Sequence, residues 1–205
     1  MNRTRTVLLT ILALIAIAIG AVTSFRLMSP PPQTSVATIL PTPMELPEFS
    51  LIDQDGQPVG REVFEGQWDL LFFGFTRCPD VCPLTLQTLA NARRQLAEQG
   101  VDPAPRIVLV SVDPERDSPE TMRQYVNHFG AGNLGITGNL DELHKLTDEL
   151  GIYFEKTRVE GDNYSVDHSA VVLLINPRGQ FQALFSSPHE TRNFVHDLPI
   201  LMAGH

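Results

Sequence analysis

Residues 68–85 read WDLLFFGFTRCPDVCPLT. The first eight form a nearly continuous apolar run, the pattern of a strand buried on both faces. After Pro83 the chain continues LTLQTLANARRQLAEQG, with Leu84, Leu89 and Leu96, joined by Leu86 and Ala92 or Ala97, at helical spacing. Gly100 closes that helix. Between strand and helix lie Cys78 and Cys82, the only two cysteines in the chain, separated by three residues and each followed by proline.

Outward from this turn, the punctuation is that of an α/β domain. Residues 50–59, SLIDQDGQPV, form a hairpin around Asp55-Gly56. Residues 106–112, RIVLVSV, form a second buried strand. Ser118-Pro119-Glu120 starts a helix that ends near Gly130, and Asn139 starts another that stops at Gly151. Residues 169–176 are a third apolar strand, Pro177-Arg178-Gly179 a turn into FQALF, and 188–201 a final helix. Alternating strands and helices predict right-handed βαβ units around a central sheet. The ending, two antiparallel strands and then a helix, predicts a thioredoxin-like fold. In open α/β sheets chemistry sits beyond the C-terminal ends of the strands, where the cysteine turn falls.

Hydrophobic residues make up 42% of the 205 residues and charged residues 19%, which suits a chain with a core. The net charge is −9, and every acidic residue lies after residue 44. That balance, without a basic stripe, excludes a nucleic-acid binder. Arg3 and Arg5 precede 20 uncharged residues, 6–25, which end at Arg26. As a helix this run would be roughly 30 Å long, enough to span a bilayer. The arginines favour a cytoplasmic N-terminus, with the rest exported. A cleaved signal peptide is the alternative, with Ala18, Gly20 and Ala21 as weak cleavage residues. The expected organisation is a cytoplasmic N-terminus and transmembrane anchor (1–28), a Pro/Ser/Thr-rich linker (29–44) and one domain (45–205), facing the periplasm from a bacterial inner membrane.

Three chemistries are open to the cysteines. Proline is tolerated at the first helical position, so the helix is expected to start at Pro83 with Cys82 as N-cap and Cys78 one turn earlier. Both sulfurs then lie near the positive end of the helix dipole, which favours thiolate. A structural disulfide would close too small a loop to stabilise much. A redox pair is expected at this turn in thioredoxin-like proteins, but those use C-x-x-C. They also place a proline before the strand at which this chain reads SVDHSAVVLL. A peroxidase has only a rough echo in Thr76-Arg77-Cys78. A metal site needs a third ligand, and two thiolates with one imidazole suit Cu(I). Of six histidines, His128, His144, His189, His196 and His205 sit in helices or at the C-terminus. His168 alone stands at the head of the third apolar strand, opposite the cysteine turn in a thioredoxin-like fold.

Four stretches carry a resemblance: FFGFTRCPDVCPLTL (72–86), VLVSVDPERDSPETMRQYVNHFG (108–130), ITGNLDEL (136–143) and VDHSAVVLLINPRG (166–179). In these the chain resembles the SCO/SenC copper chaperones of cytochrome c oxidase assembly. The resemblance implies copper held by Cys78, Cys82 and His168, as Cu(I) and with Cu(II) as a second state. Asp80 and Asp167 are candidates for a further oxygen ligand, and Asp167 for orienting His168. It implies a copper donor protein, and delivery to the CuA centre of oxidase subunit II or to another cuproprotein. The alternative function is a thiol-disulfide reductase that keeps the client cysteines reduced. Residues 113–117, DPERD, are expected to form a turn without metal, ending in the N-cap Ser118. Residues 155–167 are expected to form a projecting hairpin that delivers His168, and Trp68 to lie in the core.

Overall fold

The computed structural model describes residues 9, 11–17, 20, 33–158 and 164–203. The chain divides into two units at Gln33 and Thr34. In the first, residues 11–17 are helical and Ile11, Leu12, Leu14, Ile15 and Ile17 are exposed. No helix among the described residues is long and apolar enough to cross a membrane. The remainder of the 6–25 run expected to do so, apart from Leu9 and Gly20, lies outside the described residues.

The second unit is built on an eight-stranded sheet. In chain order its strands are β1 (Thr38–Glu45), β2 (Leu51–Asp53), β3 (Pro58–Val59), β4 (Asp69–Gly74), β5 (Arg106–Ser111), β6 (Leu134–Thr137), β9 (Val171–Ile175) and β10 (Gln180–Ser186). The order across the sheet is β1-β10-β9-β4-β5-β6-β2-β3. A separate two-stranded hairpin pairs β7 (Phe154–Arg158) with β8 (Tyr164–His168). The helices are α1 (Val81–Glu98), α2 (Pro119–His128), α3 (Leu140–Glu149) and α4 (Thr191–Met202).

The apolar run after Trp68 forms the central strand, β4. β4 pairs in parallel with β5, Leu70 opposite Ile107, and antiparallel with β9, Phe72 opposite Val172. Phe72 and Phe73 point to opposite faces, and neither has exposed surface, so both faces are covered. Because the chain steps in one direction from β4 to β5 to β6, right-handed crossovers put α1 and α2 on one face. α4 packs against α1. The β9–β10 hairpin followed by α4 completes the thioredoxin-like arrangement. The one charge within β4, Asp69, is fully buried and takes a two-pronged ion pair from Arg106 at 2.7 and 2.9 Å.

The folded unit starts earlier than composition suggests. Residues 38–44, counted in the linker on their prolines, form with Glu45 the edge strand β1 against β10, with a register shift between Ile39 and Met44. Proline lacks an N–H for the ladder and is confined to edges and bulges, where Pro41 and Pro43 stand. Asp197 of α4 ties the approach to β1: its carboxylate accepts from the N–H groups of Ser35, Val36 and Ala37 at 2.7–3.0 Å. Strand β6, four residues long, was not visible in the sequence.

Candidate metal centre

α1 starts at Val81, two residues before Pro83. The first turn of a helix has no intrahelical partner for its N–H groups, so proline at the third helical position costs as little as at the first. Cys82 is therefore inside the first turn and fully buried, and Asp80 is the N-cap residue. Asp80 makes no side-chain cap. The Sγ of Cys78, half-buried in the preceding loop, does so instead, accepting from the Cys82 N–H at 3.4 Å. No disulfide joins the two cysteines.

This geometry separates the two sulfurs electrically. The hydrogen bond from Cys82 draws the Cys78 thiol down to about 4, against burial and with help from the Asp80 and Cys82 N–H groups. The same bond, and then burial, pushes the Cys82 thiol up. The pair therefore shares one proton, carried by Cys82.

His168 ends β8, and its Nε2 lies 3.4 Å from the Cys82 Sγ. The ring sits edgewise between Phe72 and Phe75, with centroids 5.8 and 6.0 Å away. Its Nδ1 lies 3.2 Å from the Ser169 carbonyl, so a proton donated there leaves the Nε2 lone pair facing the sulfurs. The two Sγ atoms and one imidazole nitrogen all lie within 4.8 Å of one another. Among the described residues this is the sole group of three or more histidine, cysteine or acidic side chains gathered closely enough to hold a metal ion. Two soft sulfurs and one imidazole, without a fourth protein ligand, fit a low-coordinate soft cation and not a closed structural zinc site.

The other candidates are elsewhere. Asp167 does not orient His168: its carboxylate accepts from Thr157 at 2.8 Å across the hairpin. Neighbours on a strand point to opposite faces, so adjacent Asp167 and His168 diverge. Thr76 is committed to Asp117, which accepts from both its N–H and its hydroxyl at 3.0 and 2.6 Å. His128 and His144 lie against Phe129 and Phe154, and His196 against Asp197. His205 is outside the described residues. His189, expected in the final helix, stands just before it, because α4 begins at Thr191. It is half-buried, and its Nε2 donates to the Ala170 carbonyl at 3.1 Å, pinning the chain two residues beyond His168.

The sequence profile of the SCO1/SenC family matches residues 39–203. The chain belongs to the SCO1/SenC family. A relative from Stutzerimonas stutzeri is 36% identical over 165 residues, covering 80% of each chain. The mitochondrial SCO1 homolog 1 of Arabidopsis thaliana is 40% identical over 143 residues, which are 69% of this chain and 42% of that one. This SCO1/SenC chain thus spans less than half the length of that relative. Among solved structures, Arabidopsis ScoI with copper bound superposes with a TM-score of 0.74 at 32% identity, covering 78% of this chain and 99% of that one. Copper is bound in that structure, and this SCO1/SenC chain has a Cys-Cys-His group close enough to hold a metal ion.

Proposed function

We propose that the protein is a membrane-tethered copper chaperone that binds copper through Cys78, Cys82 and His168 and delivers it to the CuA centre of cytochrome c oxidase subunit II. The observation that carries this reading is the convergence of three ligand atoms from two segments, 78–82 and 168, that are 86 residues apart. Three-coordination suits Cu(I) and leaves the metal open to a client's ligands, as transfer requires. Residues 6–25 are the anchor in this reading. It holds the domain on the periplasmic side of a bacterial inner membrane, where a copper donor protein loads it.

A second reading, reduction of client disulfides, is favoured by the thiolate character of Cys78. His168 separates the two, since copper transfer needs the imidazole and dithiol exchange does not. The full chain in detergent micelles is loaded with Cu(I) and mixed with a metal-free CuA domain. Wild type retains and transfers copper, whereas Cys78→Ser and Cys82→Ser hold none and His168→Ala, left with two sulfurs, binds it more weakly and does not transfer it. Undiminished transfer by His168→Ala, together with reduction of an oxidised CuA domain by both proteins alike, would replace the chaperone with the reductase.

A further inference from the structure

The pentapeptide Asp113–Asp117, which reads as a plain turn, touches both ligand-bearing segments. Its two ends are tied together by Ser111, whose hydroxyl accepts from the Asp113 N–H at 3.0 Å and donates to the Asp117 carboxylate at 2.7 Å. Asp113 and Asp117 have no exposed surface. Charges buried so completely are retained only where partners compensate them, and two of the partners here, Thr76 and Tyr164, belong to the segments that carry the ligands.

On one side Asp117 holds the cysteine loop. It accepts from the Thr76 N–H and hydroxyl, two residues before Cys78, while its own carbonyl accepts from Thr137 at 2.8 Å and fixes it to β6. On the other side Asp113 and Arg116 hold the hairpin that carries His168. The Tyr164 hydroxyl donates to Asp113 at 2.7 Å, and Arg116, ion-paired with Asp113, donates to the Tyr164 carbonyl at 3.1 Å. The Arg116 guanidinium also lies 3.7 Å over the Tyr164 ring. Lys156 of β7 adds an ion pair to Glu115 at 2.6 Å. Among the described residues the hairpin forms no ladder with the main sheet. These contacts therefore supply a registration that a ladder would otherwise give.

We propose that the Asp113–Asp117 loop is a positioning element that sets the separation of the imidazole from the two sulfurs. Tyr164, through Asp113 and Arg116, is the positioning residue for His168, and Thr76, through Asp117, is that for Cys78. The inference rests on the three-ligand reading above. Tyr164 is the informative side chain, because its truncation leaves the buried Asp113–Arg116 pair intact.

The test measures Cu(I) affinity of the full chain in micelles against a competing chelator, for Tyr164→Leu, Tyr164→Phe and Thr76→Val, each with and without His168→Ala. Groups that orient a metal ligand typically contribute about 10- to 100-fold in affinity. Tyr164→Leu should weaken Cu(I) binding about tenfold, and Tyr164→Phe, which keeps the ring under Arg116, should recover most of it. In the His168→Ala background the Tyr164→Leu effect should vanish, while the Thr76→Val effect should persist. A second readout needs no metal. Hydrogen exchange in the metal-free protein should quicken over 164–168 in Tyr164→Leu and over 76–82 in Thr76→Val. Wild-type affinity in Tyr164→Leu, or an equal loss with and without His168, would overturn the proposal. If His168→Ala alone leaves affinity unchanged, the three-ligand reading falls and this inference with it.

Discussion

Gly74 is where the backbone of β4 makes room for the metal centre. A Cβ there would stand 3.0 Å from the Cys82 Sγ and 3.0 Å from the Phe72 ring, with Leu109 at 3.3 Å. Cys82, Phe72 and Leu109 are all fully buried, so relieving the contact displaces the sulfur together with its neighbours. Gly74→Ala should therefore lower stability by about 1–3 kcal/mol in chemical denaturation and weaken Cu(I) binding as well. Loss of stability with unchanged Cu(I) affinity would show that the sulfur position is not set by this contact. The two sulfurs should also differ in reactivity. In the metal-free protein iodoacetamide at pH 6 should label Cys78 and spare Cys82, as read by mass spectrometry. The Cys78 pKa is lowered to about 4, so its thiolate persists above that pH and the labelling rate falls only as pH drops through it. A rate that instead rises through pH 8–9 would mean that the sulfur hydrogen bonds do not hold the thiolate. At this scale the sequence was informative where residue type is rare: two cysteines in 205 residues and one histidine at a strand head. It was silent on direction. Asp167 looks adjacent to His168, yet strand alternation turns it to Thr157, and a backbone carbonyl takes the orienting role.

Among the elements, long apolar strands and well-capped helices were legible, and short or edge elements were not. Ser118 and Asn139 cap α2 and α3 with side-chain hydrogen bonds to the Thr121 and Asp141 N–H groups, as their sequence context implies. β6 has four residues, too few to establish a period, and β1 carries two prolines that read as linker. What attaches β1 is distant in sequence: Asp197 lies about 160 residues away. Burial raises the Asp197 pKa, but hydrogen bonds from His196 and from the Ser35, Val36 and Ala37 N–H groups outweigh it and bring it from 3.8 to about 2. A carboxylate held below its unfolded value contributes stability that is complete above the unfolded pKa and is lost as pH falls through the folded one. That contribution should be whole above about pH 4 and gone below about pH 2. Asp197→Asn should lose about 2–3 kcal/mol at pH 7, read in urea denaturation, with a smaller difference from wild type at pH 2. An equal difference at both pH values would mean that the charge is not what holds β1. A chain trimmed to residue 45 would lack this strand altogether, and should be markedly less stable than one beginning at Thr34.

For the whole molecule, two features of one chain must cooperate. A domain with its own core presents three ligand atoms at one end of its sheet, and residues 6–25 are read as keeping that domain at a membrane. The full chain should stay with the membrane fraction through an alkaline carbonate wash, whereas a chain beginning at Thr34 should be released. Release of the full chain would leave 6–25 as a cleaved or peripheral segment. The chain's net acidity fits neither nucleic acid nor an anionic surface, and in the proposed function a client is met at the metal centre, two residues from which Leu84 is 63% exposed. The site was legible in the sequence because its residues are chemically distinctive. The loop that spaces them was not, because Asp113, Arg116 and Tyr164 meet only in three dimensions. The most direct measurement is X-ray absorption at the copper edge of the Cu(I)-loaded full chain, for wild type and His168→Ala. Two sulfurs and one imidazole nitrogen are expected around the metal in wild type, with the nitrogen lost in the variant. A wild-type spectrum with sulfur ligands alone, or one unchanged in His168→Ala, would contradict it.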